Sequence, residues 1–167
     1  MITFDVVARD PRGRFAAIES AMQQAARSAS AEMAELAARE VVATVERETD
    51  IRPGIMDRVI NTRPSGSRQA LVSAVRLALN LSAWNPRETR DGVVADARVG
   101  IGPQMYQGAL INERGDVVLP IGRRRVPVIG PYTDWLFADV VEQPAFQQWL
   151  RTAFAVIFAQ EVDNAQS

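Results

Sequence analysis

The stretch LPIGRRRVPVIGPYTDWLF, residues 119–137, restricts the fold more than any other part of the sequence. It combines three consecutive arginines with three prolines, at Pro120, Pro127 and Pro131. Proline has no backbone N–H and a fixed φ, so this stretch is predicted to form neither a continuous helix nor a central strand. The sequence therefore predicts a stiff, extended, proline-rich arm over residues 119–131.

The three arginines of the arm are Arg123, Arg124 and Arg125. Successive side chains of an extended chain point to opposite sides, so Arg123 and Arg125 are expected to share one face and Arg124 to take the other. A solvated turn, a contact with another protein subunit and a nucleic-acid contact are all compatible with such a cluster.

Upstream of the arm, strands are predicted within about residues 69–121. Residues Leu71–Leu81 and Val93–Ile101 alternate with period two, which is typical of strands. The sequence ALINERGDVVLPI, residues 109–121, predicts two short strands about a tight turn. The second of these is expected to lie at an edge or to end early, because Pro120 cannot donate to a ladder.

Helical periodicity flanks the strands on both sides. Apolar residues recur mostly every three or four positions over about residues 11–49, and again over about 144–162, where Pro144 fits the first turn. At ~1.5 Å per residue the first helix is about 55 Å long, more than the width of a compact domain of this size. Part of it is therefore expected to pack on something else.

These elements predict an α+β fold in a single domain spanning residues 1–167. A long N-terminal amphipathic helix and a C-terminal helix are expected to pack on a small, mainly antiparallel sheet. A further short strand is predicted at residues 2–8 and a loop at residues 61–68, where Pro64 and Gly66 lie.

Composition narrows the possible chemistry. The chain has 19 basic residues, all of them arginine, and 20 acidic residues, for a net charge of −1, and it contains no cysteine, histidine or lysine. Thiolate nucleophiles, His-dependent triads, Cys/His zinc sites and lysine chemistry are therefore excluded. Carboxylate pairs such as Glu46/Glu48 or Asp134/Asp139 leave a hydrolase as the one enzyme alternative. We predict no enzymatic activity, no cofactor and no metal.

Membrane and nucleic-acid partners are also limited by the sequence. The longest nearly uncharged run, ALVSAVRLALNLSAW, contains Arg76 and is shorter than a bilayer requires, so no membrane association is predicted. A net charge near zero gives no global attraction to DNA, so a basic contact surface would have to be local.

Two motifs carry a resemblance to a known family. RETDI, residues 47–51, closes the long helix, and VLPIGRRRVPVIGP, residues 118–131, leads into the C-terminal apolar helix. In this order and separation they resemble the minor tail protein Z family of long-tailed bacteriophages, also described as tail completion proteins. The likeness covers roughly residues 20–160. Its best-matching points are Arg47, Glu48, Thr49, Pro120, Ile121, Pro127 and Pro131.

The resemblance implies a non-enzymatic virion protein at the head-proximal end of a phage tail, the neck region, assembled in the host cytoplasm. A ring that matches the six-fold symmetry of the tail is expected, and hence a hexamer. The implied partners are further copies of the chain, the tail terminator, the tail tube or tape-measure protein, and the head–tail connector proteins. The alternatives within this class are a head–tail adaptor, a tail terminator, and a connector whose arginines contact genomic DNA in the channel.

One departure from the family concerns that DNA contact. Better-known members carry basic insertions between the strands, whereas residues 85–98 of this chain read NPRETRDGVVADAR, in which three acidic residues offset three arginines. The interface hypothesis therefore rests on the arm itself. Its candidate residues are Pro120, Ile121, Arg123, Arg124, Arg125, Pro127 and Pro131.

Overall fold

The computed structural model describes residues 12–65 and 69–166, and it confirms the predicted α+β class. Three α-helices occur in this part of the chain: α1 (Arg12–Glu48), α2 (Thr133–Val141) and α3 (Pro144–Gln166). The strands between α1 and α2 are all short. They are β1 (Ile60–Pro64), β2 (Ala70–Ala74), β3 (Ala78–Asn80), β4 (Arg87–Thr89), β5 (Gly92–Ala95), β6 (Gln104–Gln107), β7 (Leu110–Ile111), β8 (Val117–Ile121), β9 (Arg124–Pro127) and β10 (Ile129–Tyr132).

All strand pairs in the described residues are antiparallel, but they form four small sheets rather than one. Two sheets are two-stranded, β1–β2 and β3–β10, and two are three-stranded, β4–β5–β6 and β7–β8–β9. The sheet β3–β10 joins chain segments that are about fifty residues apart, since Ile129 pairs with Asn80 and Tyr132 with Ala78. The other pairs are local hairpins or consecutive strands.

The first helix agrees with the predicted range of 11–49, of which residue 11 and the predicted strand at 2–8 lie outside the described residues. Beyond its end at Glu48, the hydroxyl of Thr49 donates to the carbonyl oxygen of Val45 at 2.8 Å. A carboxylate oxygen of Glu46 then accepts the backbone N–H of Gly54 at 2.9 Å. These bonds fix the direction in which the chain leaves the helix.

Helix α1 packs along α3, and buried residues of both helices belong to one core. Val41 and Phe146 line the same groove, and Met22 and Val162 line another. The end of α1 therefore lies near the start of α3 and the start of α1 near the end of α3, so the two helices run antiparallel. The buried apolar positions of α1 follow helical spacing and are mostly small or β-branched: Ala25, Ala29, Met33, Ala34, Ala37, Val41 and Val45. Towards the N-terminal end the stripe emerges, and Ile18 is 57% exposed.

The strand predicted at Leu71–Leu81 is interrupted in the structure. Strand β2 ends at Ala74 and β3 begins at Ala78, because the backbone between them bonds to Thr133 instead of continuing a ladder. The hydroxyl of Thr133 donates to Val75 O and accepts from Leu77 N, at 2.5 and 2.9 Å. This contact ties the first turn of α2 to the sheet region.

Other predicted boundaries also shift. The strand predicted at Val93–Ile101 is shorter in the structure, where only β5, which ends at Ala95, is formed. Alternate residues nevertheless remain buried as far as Val99. The predicted loop at 61–68 is wrong at its start, because residues 60–64 form β1, which pairs with β2. Strands therefore occur on both sides of the predicted range of 69–121. The C-terminal helix begins at Pro144 as predicted but extends to Gln166 instead of 162.

The centre of the core is the 3₁₀ turn Leu81–Trp84, in which Leu81 and Trp84 are fully buried. The six-membered ring of Trp84 closely approaches the backbone of Gly130 in β10. A Cβ atom at position 130 would come within 2.4 Å of Trp84 Cζ3. This close approach requires glycine and sets the distance between β10 and the core.

Candidate interaction surface

The arm predicted over residues 119–131 is a β-hairpin rather than a single extended segment. Strands β8 and β9 pair antiparallel and are joined by the two-residue turn Gly122-Arg123. Gly122 has φ +59°, and Arg123 has no positive φ, which is the pattern of a type II′ turn. The segment then continues into β10. The prediction of an extended arm is therefore wrong, and the hairpin takes its place as the candidate surface.

The prolines fit the hairpin because each occupies a position whose N–H is not needed. Ile121 and Arg124 flank the turn and form a hydrogen-bonded pair, so Pro120 and Pro127 occupy the alternating non-bonded positions. The bond from Val128 N to Val117 O, at 2.9 Å, follows the same alternation. Pro131 lies in the irregular stretch of the β3–β10 pairing.

Strand β8 is not an edge strand along its whole length. Its first two residues pair with β7 on one side while Val118–Ile121 pair with β9 on the other. At Pro120 the pairing with β7 has already ended, so the missing donor faces a side without a strand partner in the described residues. The expectation of an edge position holds at the proline but not for the strand.

The three arginines are all exposed and are arranged around the end of the hairpin. Arg124 shares one face with Ile121 and Val126, and Arg125 shares the other with the prolines, as the alternation of strands predicts. Arg123 lies in the turn, so the prediction that it shares a face with Arg125 is wrong. Within residues 12–65 and 69–166, none of the three guanidinium groups forms an ion pair.

The base of the hairpin is held firmly by the core. The side-chain amide of Asn80 donates to Val117 O and accepts from Val117 N, both at 2.9 Å. The same oxygen of Asn80 accepts from Ser82 N, which caps the 3₁₀ turn. Leu81 N donates to Val128 O at 2.8 Å. The arginines are thus carried on a rigid support, although they are themselves solvated.

A cationic and aromatic cluster, which the sequence did not reveal, lies at the start of α2. The guanidinium carbon of Arg76 lies 4.2 Å from the ring centre of Tyr132 and 5.8 Å from that of Trp135. The two rings meet edge to face at 5.0 Å. Tyr132 and Trp135 are three residues apart, a spacing from which their proximity could have been predicted. Arg76 comes from the break between β2 and β3, and its position beside them could not be predicted from the sequence.

The outer face of α2 is acidic. Asp139 follows the half-exposed Trp135 by one helical turn, and the exposed Glu142 follows by two, so the three residues share one face. The helix α2 contains no basic residue. Asp134 lies 3.9 Å from Arg76, whereas Asp139 and Glu142 form no ion pair with any described residue.

The carboxylate pairs considered for catalysis have other surroundings. Glu46 accepts the Gly54 N–H, Glu48 lies 3.9 Å from Arg47, and Asp134 lies beside Arg76. Among the described residues, no three acidic side chains come together in a group that could hold a metal ion. Each of these carboxylates is thus accounted for by a local contact, apart from Asp139 on the face of α2.

Among the residues that the structure describes, the pKa values of two side chains, Asp96 and Tyr106, depart from their ordinary values. Burial raises the pKa of Asp96, and the nearby carboxylate of Asp50 raises it further. The Oδ1 atom of Asp96 is buried and has no hydrogen-bond partner in the described residues. Burial also raises the pKa of Tyr106, which Arg98 partly offsets. These groups lie near the β5–β6 sheet and not at the hairpin, so they take no part in the candidate surface.

Comparisons with protein-family models, with curated proteins and with solved structures found no match for this chain. In the described residues, no helix combines the length and apolar character that crossing a membrane requires. The candidate surface is therefore defined by its own geometry: a core-anchored hairpin with three arginines, next to a helix whose outer face carries a half-exposed tryptophan and two carboxylates.

Proposed function

We propose that this protein is a structural component of a phage tail that completes the head-proximal end of the tail and helps to join it to the head. The proposal unites the resemblance to the minor tail protein Z family with one observation. That observation is the rigid β8–β9 hairpin, which presents exposed apolar side chains and three exposed arginines that form no ion pair with any described residue. The attachment residues are those proposed from the sequence, Pro120, Ile121, Arg123, Arg124, Arg125, Pro127 and Pro131.

The chemistry of the hairpin suits contact with protein. Guanidinium groups form forked hydrogen bonds with carboxylates, and arginine is common among the residues that dominate binding energy at interfaces. Ile121 is 58% exposed and Val126 is 42% exposed, so a partner would also cover apolar surface. The paired strands fix these side chains before binding, which lowers the entropy that association costs.

The partner set follows from the proposed location. Copies of the chain would form a hexameric ring, whose outer surfaces contact the tail terminator, the tail tube or tape-measure protein and the head–tail connector proteins. A ring requires two different surfaces on each copy that meet head to tail and close. The hairpin supplies one such surface, and in the described residues it makes no extensive contact with α1 or α3.

The test is deletion of the gene in the phage or prophage that encodes it. Completed tails of normal length and filled heads are expected to accumulate separately in electron micrographs, and supply of the protein in trans should restore joined particles. Normal virions without the protein would refute the proposal. Tails of uncontrolled length would indicate a terminator, and heads that lose their DNA would indicate a head-side adaptor.

Contact with genomic DNA is a second candidate, and the unpaired state of the three arginines in the described structure favours it. Neutralised phosphates release counterions, so such binding would weaken steeply with added salt. Fluorescence anisotropy with short duplex DNA at ~50 mM and ~200 mM salt tests this. If the arginines contact DNA, the protein binds the duplex at the lower salt concentration and the variant R123S/R124S/R125S does not. If assembled rings do not bind the duplex, this function is excluded.

A further inference from the structure

We propose that the face of the β8–β9 hairpin that carries Ile121, Arg124 and Val126 docks on the outer face of α2 in a second copy of the chain. This inference rests on the proposed function, and it assigns both sides of the contact that would build the ring. The receiving surface consists of Trp135, Asp139 and Glu142.

The hairpin side offers a compact surface of mixed character. Register places Ile121 opposite Arg124 and Leu119 opposite Val126, so these four side chains share one face of the sheet. Arg123 extends from the turn at its end. Arg125 belongs to the opposite face and lines a polar pocket with Glu113 and Asp116, so it does not contribute to this contact.

The α2 side has matching properties. Trp135 is 49% exposed, although Tyr132 and Arg76 support its ring from within the chain. Tryptophan faces bind both aliphatic groups and guanidinium cations. Asp139 and Glu142 add two carboxylates without an ion pair in the described structure. The Arg76 charge is balanced locally by Asp134, so this surface stays acidic.

Charge complementarity selects a second copy as the occupant. Arg124 on the hairpin face and Arg123 in the turn, together with the exposed Ile121 and Val126, match two carboxylates and one tryptophan on α2. The two surfaces do not pair within one molecule, since no ion pair joins the hairpin to α2 in the described residues. A contact between different surfaces of identical subunits is heterologous, and such contacts generate closed rings when the rotation permits.

Charge reversal tests the contact directly. The variants are R123E/R124E on the hairpin and D139R/E142R on α2, and association is measured by sedimentation velocity at low salt, where exposed charges are least screened. Each variant alone is expected to associate at least about tenfold more weakly than the wild type, as for charge loss at a paired site. An equimolar mixture of the two should regain association, because each reversed surface then finds its complement on the other variant.

Matched controls separate specific contact from net charge. R87E/R90E carries the same charge change as R123E/R124E at exposed positions near β4, and E32R/D57R matches D139R/E142R. Both controls should associate like the wild type. Recovery in the mixture also shows that the two reversed variants are folded, since an unfolded partner could not restore assembly.

Two outcomes would overturn the inference. One is wild-type protein that stays monomeric at every concentration tested, and the other is reversed variants that assemble as well as the wild type or fail to complement each other. Neither outcome decides the tail function, which is judged independently by the gene deletion. Conversely, restored association of the mixture would establish the contact between copies even if the gene deletion pointed to a role other than completing the tail.

Discussion

The side-chain amide of Asn80 lies against the backbone of Val117 as a neighbouring strand would, with both of its hydrogen bonds at 2.9 Å. Val117 is fully buried, so no water can replace these bonds. The amide thereby connects β3 to the base of the hairpin and continues the sheet where no strand residue is available. Local stability at this point is therefore expected to depend on a single side chain.

Replacing Asn80→Ala should lower the free energy of unfolding by about 2 to 4 kcal/mol, because it leaves Val117 N and Ser82 N without their acceptor. Urea denaturation followed by circular dichroism measures the loss. Asn164→Ala, at an exposed position of α3, is the control and should change stability by less than about 0.5 kcal/mol. Equal stability of the two variants would contradict the assigned role of Asn80.

Gly130→Ala should destabilise the protein by at least about 1 to 3 kcal/mol, because the new methyl group overlaps the buried ring of Trp84. The overlapping atoms belong to the six-membered ring of the indole. Trp84→Phe replaces the two-ring indole by a smaller ring that extends less far and leaves a cavity, so this variant is also less stable than the wild type. The double variant should lose less stability than the sum of the two single variants, which a double-mutant cycle measures. Additive losses would show that the two residues do not share the contact.

Ala29→Leu should destabilise the protein by about 1 to 3 kcal/mol, because Ala29 is fully buried in the core and a larger side chain would have to displace its packed neighbours. Ala31→Leu adds the same atoms two residues away at an exposed position and serves as the control. Thermal unfolding compares the two variants. A stable Ala29→Leu variant would mean that the α1–α3 packing is looser than the structure indicates.

Asp96→Asn should raise the melting temperature at pH 7. The pKa of Asp96 is raised in the folded protein, so its charged form costs stability at pH values above that pKa. As the pH falls through the raised pKa towards the ordinary value of 3.8, the folded protein takes up the proton first and the cost disappears. The advantage of the variant should therefore vanish below about pH 3.8.

Thermal melts of the wild type and Asp96→Asn at several pH values test this dependence. Asp57→Asn, at an exposed position, should leave the melting temperature unchanged throughout. A constant difference between Asp96→Asn and the wild type at all pH values would indicate a lost contact of Asp96 rather than relief of its buried charge.

The helices were predictable because their signals are local. Periodic apolar residues located α1 to within one or two residues, and Pro144 marked the start of α3. Prolines in the arm misled the prediction, because a proline disrupts a ladder only where its N–H would face a partner, and that depends on register. The two-residue turn Gly122-Arg123 was the signal that could have revealed the hairpin.

Contacts between distant segments account for the remaining differences. Thr133 divides the predicted strand at Leu71–Leu81, and Arg76, which lies within that break, reaches the ring of Tyr132. No spacing in the sequence relates these residues, since they meet only when β3 pairs with β10. The arginines could be recognised as a candidate surface from the sequence, but the acidic face of α2 could not.

The outward-facing proline positions have a consequence for the way in which copies of the chain could associate. Pro120 and Pro127 remove donors from the two outer margins of the hairpin, on which another chain could otherwise add a strand. Growth of one hairpin upon another into an open-ended fibril is thus disfavoured by the backbone itself. Contacts between copies would then depend on side chains. Side-chain contacts can limit an assembly to a fixed number of subunits, whereas strand-to-strand hydrogen bonding between backbones could continue without limit.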